Sequence, residues 1–189
     1  MRFPKLPAKI PKWVWFALAA VVLGGERVIA REGAQEAAGE VSARLTPANA
    51  SQVASAIVRA LRAMGRPVAR QESWLYPLAV SALETASWKK LWNDNVGNVS
   101  AYDTKRQAWY RNPEVTETHY FRAFSSLDAG ARAMLETIQR YGGLTSADAA
   151  DLPGFQVAMT RYLSNPGKSY PDLSSLVASL RGTIVADVA

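Results

Sequence analysis

Val53, Ile57, Leu61 and Met64 stand at i, i+4, i+8 and i+11, and Leu127, Ala131, Leu135 and Ile138 repeat that spacing later in the chain. A period of 3.6 puts each set on one face of a helix, and such a face has to be buried against another element. Arg59, Arg62 and Arg66 fall off the first stripe, as a solvated side requires. Thr46-Pro47 can open that helix, with Asn49-x-x-Gln52 as an alternative cap, and Gly65 and Pro67 end it. Ser125 or Ser126 caps the later helix, which Gly142-Gly143 stops. Between them Pro77 can start a further helix that runs to about Trp88. Shorter helices are expected near 155–163 and 172–180, separated by the turn Ser164-Asn165-Pro166-Gly167. Residues 96–124 read as loops and short strands. The expectation is a mainly α (α+β) chain: a helical domain with one small β-hairpin lobe.

The N-terminal end is of another kind. Arg2, Lys5, Lys9 and Lys12 occur without an acid, ahead of a run from Trp13 to Gly25 that carries no charge. A basic flank followed by an apolar run is an export or membrane-insertion signal. The run is shorter than the roughly 20 residues that span a bilayer as a helix. Extension from Ile10 to Ile29 reaches that length, with Glu26 and Arg27 at the outer interface. A cleavage site at Val28-Ile29-Ala30 is the alternative, and the charged pair before it favours a retained anchor. The positive-inside rule then puts the rest of the chain outside the cytoplasm. The chain divides into 1–30, a basic flank with a membrane anchor or signal; 31–45, an Ala-, Glu- and Gly-rich linker or stalk; and 46–189, the folded domain.

Composition narrows the chemistry. There is no cysteine and a single histidine, His119, so a disulfide framework, a thiol nucleophile and a His-cluster metal site are not expected. No cofactor is implied. The net charge of +6 draws the chain to polyanions, but Arg and Lys are scattered rather than blocked, which argues against nucleic acid. Catalysis therefore has to come from carboxylates, hydroxyls and amides.

Val80, Glu84, Trp88 and Leu91 share the i, i+4, i+8, i+11 spacing, which sets a carboxylate on an apolar stripe one turn from a tryptophan. Desolvation raises a carboxyl pKa, and a proton held near neutrality is what the general acid of a glycosidase needs. The competing account is a solvated Glu84, or one paired with Lys89 or Lys90. In the run from Val115 to Phe124, strand alternation puts Glu117 on one face with His119 and Phe121. Glycan hydrolysis calls for a second carboxylate about 5 to 10 Å from the first, and Glu117 is the candidate, with Glu114, Asp94 and Asp103 as rivals. Six Trp and seven Tyr supply rings of the kind that serve as apolar platforms for sugars, Trp88 and Tyr120 among them.

Four runs then fall in a familiar order: Ala82-Leu83-Glu84-Thr85-Ala86-Ser87-Trp88; Asn95-Val96-Gly97-Asn98; Thr116-Glu117-Thr118; and Phe121-Arg122-Ala123-Phe124-Ser125-Ser126-Leu127-Asp128-Ala129-Gly130. Over roughly residues 75–141 they resemble the glucosaminidase family of peptidoglycan hydrolases. The resemblance implies a lysozyme-like fold, with Glu84 as general acid and Glu117 as the hairpin carboxylate. It implies a substrate groove shaped by Asn95, Gly97 and Asn98, with Tyr141 near the cleft, while Arg122 and Phe124 brace the fold. The family pattern has Gly-Trp-Gly after the catalytic helix, where this chain has Ala86-Ser87-Trp88-Lys89. It has an aromatic followed by Gly-Ile-Lys where this chain has Gly97-Asn98-Val99-Ser100. These departures bear on the subsites, so both N-acetylglucosaminidase and muramidase cleavage stay open.

The expected partner is the peptidoglycan glycan strand, met at the cell envelope or by a virion, with the membrane reached through the N-terminal segment. Envelope or virion assembly partners are compatible with that location. The alternative is a lysozyme-like module without catalysis, tethered to a membrane and binding the wall.

Overall fold

A computed structural model describes residues 38–114, 119–162 and 170–184. Residues 1–30 with their expected anchor, Glu117, and the turn at 164–167 lie outside the described residues. Among the described residues no helix is long and apolar enough to cross a membrane. The order is β1 (Gly39–Glu40), α1 (Ala50–Ala63), α2 (Gln71–Glu84), β2 (Ala108–Arg111), β3 (Tyr120–Arg122), α3 (Leu127–Arg140), α4 (Gly143–Asp148), α5 (Leu152–Tyr162) and α6 (Ser174–Arg181). The architecture is mixed α and β: a helical body and a three-stranded sheet in the order β1-β2-β3.

The two stripes form their helices. On α1, Val53, Ile57 and Leu61 are fully buried, and on α3 so are Ala131, Leu135 and Ile138; the two helices pack against each other. At the start of α1 the alternative cap prevails. Asn49 Oδ1 accepts from the Gln52 N–H and Gln52 Oε1 accepts from the Asn49 N–H, both at 2.9 Å, so one pair satisfies two orphan donors. Asn49→Ala is expected to cost about 1 kcal/mol in a denaturant melt; an unchanged midpoint would show that the cap is idle.

The second helix differs from its expected span. It starts at Gln71, carries Pro77 in its interior and ends at Glu84 rather than near Trp88. Residues 73–82 are buried without interruption, from Ser73 through Pro77 to Ala82. A helix enclosed on all sides shows no stripe, so periodicity could not mark its start, and burial outweighs the hydrogen bond that Pro77 cannot make. It packs against α1, α4 and α6. Tyr76 fixes one side of it, with its ring 5.4 Å from Phe155 and its hydroxyl donating to the Ala150 carbonyl at 3.2 Å.

The other shorter helices shift by a few residues from expectation. The helix α4 is additional to those expected: Gly142 (φ +85), a helix stop in the sequence, both leaves α3 and enters α4. The stalk expected over 31–45 also ends early. Strand β1 pairs in parallel with β2, the Val41 N–H donates to Trp109 O at 2.8 Å, and the Thr46 N–H donates to Leu91 O at 2.8 Å. Main-chain pairing needs no apolar side chains, so composition could not reveal it. Gly39 to Thr46 are therefore tied to the folded part.

In the sheet, β2 and β3 are antiparallel, with Trp109 opposite Arg122 and Tyr110 opposite Phe121. A short segment extends it on the far side of β3: the Ala101 N–H donates to Tyr120 O at 2.8 Å and the Arg122 N–H to Val99 O at 2.9 Å. That segment begins at Asn98, beside the end of α2.

Candidate active site

Glu84 is the last residue of α2, and the chain beyond it turns sharply. The Thr85 hydroxyl donates to the Ser81 carbonyl at 2.7 Å and accepts from the Trp88 N–H at 3.1 Å, which competes with continued helix. Ala86, Ser87 and Trp88 then adopt φ of +49, +56 and +65. Three successive left-handed residues, none of them glycine, cost about 1 kcal/mol or more each. Hydrogen bonds from the Ser87 N–H to Ala82 O and from the Lys90 N–H to Thr85 O hold the turn. Backbone held in this way against its preference is typical of functional sites.

Tyr170, 5% exposed, donates its hydroxyl proton to Glu84 Oε1 at 3.0 Å. The side-chain amide of Asn98, itself at φ +49, donates to the Glu84 main-chain carbonyl. Burial pushes the Glu84 carboxyl above the ordinary glutamate range, and the donors Tyr170 and Asn98 pull it part of the way back. The group is a half-buried carboxyl with a raised pKa, with the Tyr170 hydroxyl directed at Oε1 and the Asn98 amide beside it. Such a group can hold a proton and deliver it to a leaving oxygen. Lys90, a candidate partner for Glu84 in the sequence, pairs instead with Glu114 at 2.5 Å.

The other expected site residues fall into two groups. Asn98 meets Glu84. Asn95 is fully buried and structural: its amide donates to Val99 O and Arg122 O at 3.0 and 2.9 Å, and its Oδ1 accepts from the Val99 N–H at 2.7 Å. It ties the loop after α2 to β3 and thereby sets where Asn98 lies. Trp88 is 6% exposed and its indole N–H donates to Ser81 Oγ at 3.1 Å, so it sits in the core beneath the turn rather than on a surface. The helix ends before Trp88, which is why helical spacing misplaced it. Tyr120 is half-buried and stacks edge-on against Trp109, with ring centroids 4.6 Å apart. Tyr141 is the half-buried C-cap of α3.

Glu117 lies outside the described residues, in the connection between β2 and β3. Its neighbour His119 is described, and His119 Nε2 is 2.8 Å from the hydroxyl of Ser100, two residues after Asn98. The returning end of the hairpin is thus tied to the segment that carries Glu84's partner. The rival carboxylates have structural partners. Asp94 is buried and paired with Arg44 at 3.0 Å, Asp103 caps its own loop by accepting from the Lys105 N–H, and Glu114 holds Lys90. Among the described residues no group of three or more His, Cys, Asp or Glu could hold a metal ion.

Nothing in the sequence around Tyr170 marks it as a partner of Glu84. It is 86 positions from Glu84, after α5 and before α6, and no local pattern connects the two. Compared with protein-family models, with curated proteins and with solved structures, the chain shows no significant match to any of them.

Proposed function

We propose that this chain is a glycoside hydrolase that cleaves the β-1,4-linked glycan strands of peptidoglycan, with Glu84 as the general acid. The observation that carries the reading is the Glu84 carboxyl itself: raised in pKa by burial, at the end of a buried helix, and aimed by the Tyr170 hydroxyl at 3.0 Å. In mechanism, Glu84 donates its proton to the glycosidic oxygen as the C–O bond breaks and the sugar acquires oxocarbenium character. A second carboxylate then receives the cation as nucleophile or activates a water. We assign that role to Glu117, on the resemblance of its Thr-Glu-Thr run to the glucosaminidase hairpin and on the tie between His119 and Ser100. The finer fold assignment, lysozyme-like, rests on the same motifs. Residues 1–30 would deliver the domain to the far side of the membrane, where its substrate is, for an envelope apparatus or a phage.

Tyr170 is a positioning residue in this scheme. Its donor favours the charged form of Glu84, so Tyr170→Phe is expected to raise the Glu84 pKa further. Activity that requires a protonated acid then persists to higher pH, and the alkaline limb of the kcat/KM profile moves up. A lower rate with an unmoved limb would mean that Tyr170 only supports the fold.

The bond is identified by digesting purified peptidoglycan and reducing the products with borohydride before mass spectrometry. Glucosaminitol at the new ends would mark an N-acetylglucosaminidase and muramitol a muramidase. Wall binding by the folded protein without new reducing ends would overturn the hydrolase reading and leave the non-catalytic wall-binding module.

A further inference from the structure

The hairpin has two faces of different character. Ala108, Tyr110, Phe121 and Ala123 point to one side and form a small core of their own with Val41 and Trp92. Alternation sends Trp109, Arg111, Tyr120 and Arg122 to the other side. A solvated sheet face usually carries short polar residues, yet this one carries two large rings and two guanidinium groups. Neither β2 nor β3 packs extensively against a helix among the described residues. The rings of Trp109 and Tyr120 meet edge-on, and the Arg111 guanidinium stands 6.0 and 5.6 Å from their centroids while pairing with Glu40 at 3.4 Å.

Arg122 is the informative member. It is the cross-strand partner of Trp109, half-buried, and its guanidinium lies 4.7 Å from the Phe124 ring. No carboxylate stands within ion-pair distance of it among the described residues, and Glu136 acts on it only from farther away. Burial lowers its pKa, and the charge of Glu136 offsets that only in part. The strand that carries it donates from the Arg122 N–H to Val99 O, so this face is continuous with the segment that starts at Asn98 beside Glu84.

We infer that the outward face of the β2–β3 hairpin binds a carboxylate-bearing glycan, with Arg122 taking the carboxylate and the Trp109–Tyr120 pair taking the sugar ring. The inference rests on the glycan-hydrolase reading and narrows it to acidic strands over neutral ones. A planar guanidinium grips a carboxylate through paired N–H donors, and sugar C–H faces lie against aromatic rings. The lactyl carboxyl of muramic acid is held in an amide where a stem peptide is attached, and it is a free carboxylate repeated along the strand once the peptides have been removed, so peptide-free strands carry the group of that chemistry.

The test is calorimetric binding by the full chain carrying Glu84→Gln, so that ligand is not consumed. The probes are peptide-free peptidoglycan strands, the same strands with their carboxyl groups reduced to alcohols, and chitohexaose. The acidic strands are expected to bind about ten-fold or more tightly than the reduced ones. Arg122→Gln should abolish that difference and leave chitohexaose binding unchanged, while Trp109→Ala should weaken all three. Equal affinity of the Glu84→Gln chain for acidic and reduced strands overturns the proposal without need of any Arg122 variant, as does an undiminished preference when Arg122→Gln is added to a chain that still folds. Hydrolysis of the acidic strands by the unsubstituted chain is followed in parallel. Carboxylate-dependent binding without hydrolysis would sink the enzyme reading and leave this surface; hydrolysis without carboxylate dependence would sink the surface alone.

Discussion

Gly130→Ala is expected to destabilise the protein by about 3 kcal/mol, although alanine is the better helix former. Gly130 lies in the first turn of α3, where a Cβ would enter the space of the Asp94 carbonyl oxygen and stand 3.5 Å from the Phe124 ring. The carbonyl has nowhere to retreat. The loop that carries it is pinned by the Asn93 N–H to Arg44 O at 2.8 Å, by the Asp94 N–H to Thr46 Oγ1 at 3.0 Å, and by the Phe124 N–H to Asn93 O at 3.0 Å. Asn93 and Asp94 are themselves left-handed, at φ +49 and +56. In an open helix the same change would stabilise by about 1 kcal/mol. Here the melting temperature should fall by roughly 6–12 °C. Gly182→Ala is the control, because no heavy atom lies within 4 Å of its Cβ position and it should be neutral or slightly stabilising. A Gly130→Ala protein that melts no lower than the native one would show that the loop gives way.

The amphipathic helices were legible because α1 and α3 each bury one face and wet the other, so Val53 to Met64 and Leu127 to Ile138 carry their period in the sequence. The buried helix α2 was legible only in part. Enclosure on all sides erased its stripe, and Pro77 looked like a beginning when it stands in the interior. The end of that helix was hidden for a different reason. The Thr85 hydroxyl and the three left-handed residues after it are decided by tertiary contacts, and nothing about Ala86, Ser87 or Trp88 as residue types announces positive φ. Glu84 stands out in the sequence by its spacing and by the resemblance of its motif, and Asn98, which meets its main-chain carbonyl, by the resemblance alone. Tyr170 does not, because a hydrogen bond between positions 84 and 170 leaves no local trace. Asn95 shows the reverse: its motif suggested a groove residue, and its three buried hydrogen bonds make it a brace.

Glu84→Gln is expected to lower glycan cleavage by about 10²–10⁴-fold, the range for loss of a general acid. It is also expected to make the protein more stable at neutral pH. The folded-state pKa of Glu84 is raised above its unfolded value by burial, so folding is unpenalised below the unfolded pKa, near 4.5. Stability is lost as pH rises through the raised folded value, where the carboxylate must be charged while buried. Glutamine never charges, and its Oε1 can still accept from Tyr170. The melting-temperature gain of Glu84→Gln should therefore be largest above neutrality and shrink toward pH 4. A gain independent of pH would mean that the carboxyl is not desolvated in solution.

Purified peptidoglycan incubated with the full chain, and in parallel with Glu84→Gln brought to the same folded concentration, tests the central claim. New reducing ends are counted after borohydride labelling. The account predicts their steady release by the native protein and a fall of at least about a hundred-fold with the more stable Glu84→Gln. Equal release by both, or none by a native protein that still binds the wall, would contradict it.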